Sequence, residues 1–190
     1  AEGRRLFIEG RLREAAENYE KALRRNDRSA RLQFESGLVE LGLSNYTTAA
    51  DRFRRVTELE PDNARAQLLL GIAYALSGDA LSETAALERS VQVDPTNALA
   101  HLLLGLAYTI TERREQGIAR LARAVELDPE NAEYRRLLGV AYIGANRYPD
   151  AIEQLEEALN RAPGDAETQL LAGVTYNAQG VMDKAVMLLN

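Results

Sequence analysis

The chain has 190 residues, 46% of them hydrophobic and 27% charged, the profile of a folded globular chain. Its net charge of −6 speaks against a nucleic-acid partner, because neutralising phosphates takes clustered Lys and Arg. With no cysteine and one histidine, disulfides, thiolate nucleophiles and His/Cys zinc clusters are excluded, and no apolar run is long enough to cross a bilayer, so the expectation is a soluble chain without direct membrane insertion.

Residues 1–29 open on Ala1-Glu2-Gly3-Arg4-Arg5, which is charged and lacks a signal-peptide core. Residues 1–31 hold nine basic and six acidic side chains, while residues 132–190 hold five and eight. A solvated helix face accounts for the basic head; a charged partner is the alternative reading. From here on the chain repeats itself. Gly3, Gly37, Gly71, Gly105, Gly139 and Gly173 are each 34 residues apart. Tyr74, Tyr108, Tyr142 and Tyr176 follow their glycines by three residues, and Ala30, Ala64, Ala98, Ala132 and Ala166 precede theirs by seven. Pro61, Pro95, Pro129 and Pro163 keep the same period. Residues 1–29 are thus expected to be the tail of one repeat, 30–63, 64–97, 98–131 and 132–165 to be complete repeats, and 166–190 to be most of another.

Each repeat is expected to be an antiparallel helix pair. In 64–77 the apolar residues Leu70, Ala73, Tyr74 and Leu76 recur at helical spacing. Asn63, Asn97, Asn131 and Asp165 stand where a side-chain oxygen caps the next helix. The prolines punctuate the turn before it. Gly78-Asp79 and Asn146-Arg147 mark the break within a pair, and Pro149 falls in a first helical turn, where its missing N–H costs nothing. The periodic glycine lets paired helices approach. Ala15, Ala49, Ala151 and Ala185 are small for the same contact, and Tyr19, Phe53, Leu87, Leu121, Leu155 and Leu189 fill the space beside it. Glu83 and Gly117 break the small-alanine position, and Arg114 replaces a residue of the Tyr46 or Tyr148 type. Glu83 is expected to turn outward or to pair with an arginine, because a buried unpaired carboxylate is costly.

The segments "AQLLLGIAYALSGD" and "LERSVQVDPTN", with "YRRLLGVAYIGANRYPDAIEQLEEALNRAPGD", resemble the tetratricopeptide repeat (TPR) family, and the resemblance covers the whole chain. It implies an all-α fold, a right-handed superhelical solenoid of stacked antiparallel helix pairs, with 1–190 as one array. It also implies a groove lined by the first helix of each pair, at places three before and one, four and five after each glycine. Those places give Phe34, Leu38, Leu41, Leu68, Ile72, Leu76, Leu102, Leu106, Ile110, Arg136, Val140, Ile143, Leu170 and Val174 as partner-binding residues. Arg31 and Arg65 fall at the rim, and with Arg136 are expected to orient an acidic residue of the ligand. The Lys, Asn and Arg clamp of chaperone-binding relatives is absent, since Phe34, Leu38 and Leu68 occupy its places. The asparagine ladder of O-linked N-acetylglucosamine transferase is absent too, replaced by Glu35, Leu69, Leu103, Leu137 and Leu171.

Residues suited to catalysis are scarce. His101 sits where the family carries an aromatic wedge, so packing is its expected role. No Gly-rich phosphate loop is present, and carboxylates such as Glu153, Glu156 and Glu157 follow a solvated face. No enzyme activity, cofactor or metal is expected. The expected function is a protein–protein interaction scaffold that holds an amphipathic helix or an apolar peptide segment in its groove. Arginine so outnumbers lysine (Lys21 and Lys184 are the only two) that a bacterial source is expected, in an assembly or secretion system of the cytoplasm or periplasm. The alternatives are a substrate-docking region of a larger enzyme, such as a glycosyltransferase, and a structural homo-oligomer. The chain stops at Val186-Met187-Leu188-Leu189-Asn190, an apolar end expected to continue into further chain or to meet another copy.

Overall fold

A computed structural model of the chain describes residues 2–189, and among them the side chains of residues 2–188. The described residues form twelve helices and fall into two compact units, Ala1–Pro95 and Thr96–Asn190. The first unit holds α1 (Glu2–Ile8), α2 (Leu12–Leu23), α3 (Ala30–Gly42), α4 (Tyr46–Leu59), α5 (Ala64–Ser77) and α6 (Ala80–Val93). The second holds α7 (Ala98–Ile110), α8 (Arg114–Leu127), α9 (Ala132–Gly144), α10 (Tyr148–Arg161), α11 (Ala166–Ala178) and α12 (Met182–Leu189). Within each unit every helix packs on the next one in the chain, so the helices form adjacent pairs stacked on adjacent pairs. This is the all-helical arrangement of stacked helix pairs expected from the 34-residue period.

Local chemistry sets the helix boundaries. The side chains of Asn63, Asn97 and Asn131 accept hydrogen bonds from Ala66, Ala100 and Tyr134, and Asp165 accepts one from Glu167. Ser29 does the same for α3 through Leu32. Each bond satisfies a backbone N–H that the first helical turn leaves open. Within each pair the turn is the same throughout. The residue seven after the periodic glycine is left-handed: Gly10, Ser44, Gly78, Glu112, Asn146 and Gly180 all have φ between 57° and 82°. The next residue's N–H then reaches back to the carbonyl five residues earlier, as from Asp79 to Tyr74 at 3.0 Å and from Arg147 to Tyr142 at 2.9 Å. That closes the helix C-terminus in a Schellman motif. Gly78 and Asn146 suit this backbone; Ser44 and Glu112 adopt it against their preference.

The periodic glycines are there because a side chain has no room. A Cβ on Gly37, Gly71, Gly105 or Gly139 would lie 2.7–2.9 Å from Phe53, Leu87, Leu121 or Leu155 respectively. Those large side chains are 0–1% exposed and form the wall between paired helices. Burying each contributes about 1.5–3 kcal/mol. Tyr19 presses on Gly3 in the same way. Leu189, the sixth residue expected in this role, has its side chain outside the described set. Ala15, Ala49, Ala151 and Ala185 are buried beside these contacts.

Both departures from the small-alanine position have a structural consequence. Gly117 brings α8 close to α7: a Cβ there would lie 2.9 Å from the Gly105 carbonyl. Glu83 is half-buried and has no ion-pair partner among the described residues, so the expected arginine is not there. Burial alone pushes its carboxyl above the ordinary Glu value. Arg114 is exposed where Tyr46 and Tyr148 are half-buried. His101 is 3% exposed, as a packing residue should be.

Candidate peptide-binding face

The first helices of the first unit are α1, α3 and α5. Helical spacing places Phe34 and Leu38 on one face of α3, three before and one after Gly37. The same places on α1 bring in Arg4, with Phe7 and Ile8 one turn further along. Together these residues line a hollow of about 460 Å³, with Arg31, Glu35, Tyr19 and Arg65 at its edges. Phe34 is its centre. Its ring meets the Phe53 ring edge-on, with centroids 5.7 Å apart, which anchors it to the core. On its open side the Arg65 guanidinium carbon lies 5.3 Å from the ring centroid, within cation–π range. A second hollow of about 320 Å³ shares Arg31, Phe34, Glu35 and Arg65 with the first and adds Val56, Glu60 and Asn63.

The electrostatics of the larger hollow are lopsided. Glu35 is its one carboxylate against three guanidiniums. That carboxylate is already engaged: Arg31 Nε donates to it at 3.1 Å and the Tyr19 hydroxyl at 3.0 Å. Burial, then the bond to Glu35, pushes the Tyr19 hydroxyl up to about 12, so it stays a proton donor at neutral pH. Arg4 and Arg65 have no carboxylate in ion-pair range among the described residues.

The structure sorts the expected lining residues into three groups. Leu76 and Ile110 are 52% and 73% exposed, and Val140 is 40% exposed. Phe34, Leu38, Leu41, Ile72, Leu106 and Ile143 are half-buried, packed on the core by one side and open on the other. Leu68 and Leu102 are sealed, at 8% and 7% exposure. Leu102 is part of the core formed by Ile118, Leu121, Val125 and Leu138. Those two belong to the interior, although Phe34 and Leu170, at the same place before their glycines, do not. Leu170 and Val174 on α11 are 55% and 54% exposed. No later first helix packs over α11 among the described residues, so their exposure does not by itself mark a binding face.

Arg136 also departs from expectation. Its guanidinium donates to Glu133 at 2.5 Å and to Glu167 at 2.7 Å, and only 13% of its side chain is exposed. The hydrogen bond to Glu133 is the main reason its proton is held more tightly than usual. Both partners are intramolecular, so the Arg136 charge is offset within the chain. The residues the spacing argument overlooked are Arg4, Phe7 and Ile8. Gly3 keeps the 34-residue phase, and counting one, four and five residues on from it reaches all three.

Among the described residues there is no cluster of His, Asp and Glu that could hold a metal, and no helix is long and apolar enough to cross a membrane. The tetratricopeptide repeat family model matches residues 1–50, 34–83, 111–166 and 140–190. No curated protein matches the chain. Among solved structures the chain is similar to MamA, with 26% identity, a TM-score of 0.77, and 80% of this chain and 89% of that one covered. A MamA fragment from Desulfovibrio magneticus RS-1, residue 41 to the end, is 26% identical with a TM-score of 0.80, covering 86% and 92% of the two chains. YrrB, described as a TPR protein with an unusual peptide-binding site, shares the fold at 23% identity, with a TM-score of 0.79 over 92% of this chain and 90% of that one.

Proposed function

The chain belongs to the tetratricopeptide repeat family, a family of protein–protein interaction scaffolds, and on that premise we propose that it holds a segment of another protein against its first helices. One observation carries this reading. Aliphatic side chains stay open to solvent on first helices of both units: Ile8 and Leu76, each five after its glycine, in the first, and Ile110, five after, with Val140, one after, in the second. Leu38, Ile72 and Leu106 lie beside them, half-buried. Exposing such side chains costs solubility, and rows of them mark interaction surfaces. An amphipathic helix or an extended apolar peptide offers the matching spacing. The peptide-binding site described for YrrB, which has the same fold, supports the reading. The proposed setting is a bacterial assembly or secretion system, consistent with the preference for arginine over lysine.

Ile72→Asp together with Leu106→Asp tests it. Both side chains are half-buried at the surface, so the helices should form as before. The expected result is loss of partner capture, with circular dichroism and melting close to wild type. Undiminished capture by a folded double variant would remove the first-helix face as the site. Light scattering across a range of concentrations checks the competing occupant: a mass that rises with concentration in the absence of partner would identify a second copy of the chain.

A further inference from the structure

Resting on that reading, we infer that the hollow between α1, α3 and α5 receives an acidic segment carrying one aromatic or aliphatic anchor residue. Charge complementarity around an apolar floor favours such a segment. Phe7, Phe34 and Leu38 form the floor, and its volume of about 460 Å³ is that of a small binding pocket. Arg4, Arg31 and Arg65 border it, and only Arg31 has its charge offset locally, by Glu35. Arg65 lies over the Phe34 ring with no ion-pair partner among the described residues, and a guanidinium stacked on a ring can still bond a carboxylate through its N–H groups. The charge runs against the rest of the chain: the net value is −6, yet residues 1–31 hold nine basic and six acidic side chains. The corresponding face of α9 in the second unit is different, since Glu133 and Glu167 neutralise Arg136 there. A protein segment fits better than a nucleic acid, because three guanidiniums around one apolar hollow do not make the extended basic track that a phosphate backbone requires.

Two fluorescein-labelled octapeptides test this on the whole chain by anisotropy. One carries a Phe-Leu anchor flanked by Asp and Glu; the other replaces every Asp and Glu by Asn and Gln. The acidic peptide should bind about tenfold more tightly or better, and added salt should erase that advantage. Arg4→Gln with Arg65→Gln should bring its affinity down to that of the amide peptide, with circular dichroism unchanged. Arg123→Gln, an equal loss of charge on the exposed side of α8 in the second unit, should leave it intact. Equal binding of the two peptides overturns the inference, as does a double variant that binds the acidic peptide like wild type, or the absence of acidic-peptide binding. Displacement by an oligothymidylate as readily as by unlabelled acidic peptide overturns it in favour of a nucleic-acid site. If both peptides bind equally and Ile72→Asp abolishes both, the groove reading stands and only the charge inference fails.

Discussion

Gly105 and Gly117 face one another across the α7–α8 pair so closely that a Cβ on Gly117 would come within 2.9 Å of the Gly105 carbonyl and 2.8 Å of the Thr109 methyl. A Cβ on Gly105 would in turn meet the Gly117 carbonyl at 3.0 Å and the Leu121 side chain at 2.7 Å. Each would strike backbone as well as a side chain, so the pair cannot adjust cheaply. Gly117→Ala is therefore expected to destabilise the chain by about 1–3 kcal/mol, although alanine is the better helix former. Urea unfolding measures it. A variant as stable as wild type would mean the two helices have room to separate.

Glu83 stands where Ala15, Ala49 and Ala151 stand in other repeats, and its half-buried carboxylate has no ion-pair partner among the described residues. Burial raises its folded pKa above the unfolded value, so the ionised form opposes folding. The penalty is complete above the folded pKa, where the group is charged in both states. It fades as the pH falls through that pKa toward the ordinary Glu value. Glu83→Gln should thus melt higher than wild type at neutral pH, and the gap should close on acidification. A gap that is absent at neutral pH, or that widens in acid, would contradict the assignment.

Glu112 holds φ at 59° in the α7–α8 turn, a backbone that Gly78 and Gly180 adopt without a Cβ to obstruct it. Its side chain is exposed, so replacement removes little else. Glu112→Gly is expected to stabilise the chain by about 1 kcal/mol, the strain relieved exceeding glycine's greater freedom in the unfolded state. Thermal melting checks it, with Gly78→Ala as the converse, expected to lower the midpoint. Opposite signs in the two variants support the strain argument, and a loss of stability in Glu112→Gly would refute it.

The repeat was legible because its causes are local and periodic. A glycine every 34 residues, with a large side chain sixteen later, already encodes two helices in contact, and the Asn caps encode where each first helix begins. The open face of the first helices was legible only in part. Spacing placed Leu76, Ile110 and Val140 on an open face but gave Leu68 and Leu102 the same status, although both are sealed. Spacing knows which way a helix face points, not how far a neighbouring helix reaches over it.

What the sequence determined by itself was the helix-pair unit, its caps and its turns, because those depend on residues a few positions apart along one chain. Tertiary structure alone decided which charges remain available. Arg136, three before its glycine, and Arg65, six before its own, both read from the register as charges on the groove side, yet packing puts Arg136 between Glu133 and Glu167 and lays Arg65 over Phe34. The spent or free state of the Arg136 guanidinium depends on a side chain 31 residues away, and only the folded helices bring it within reach.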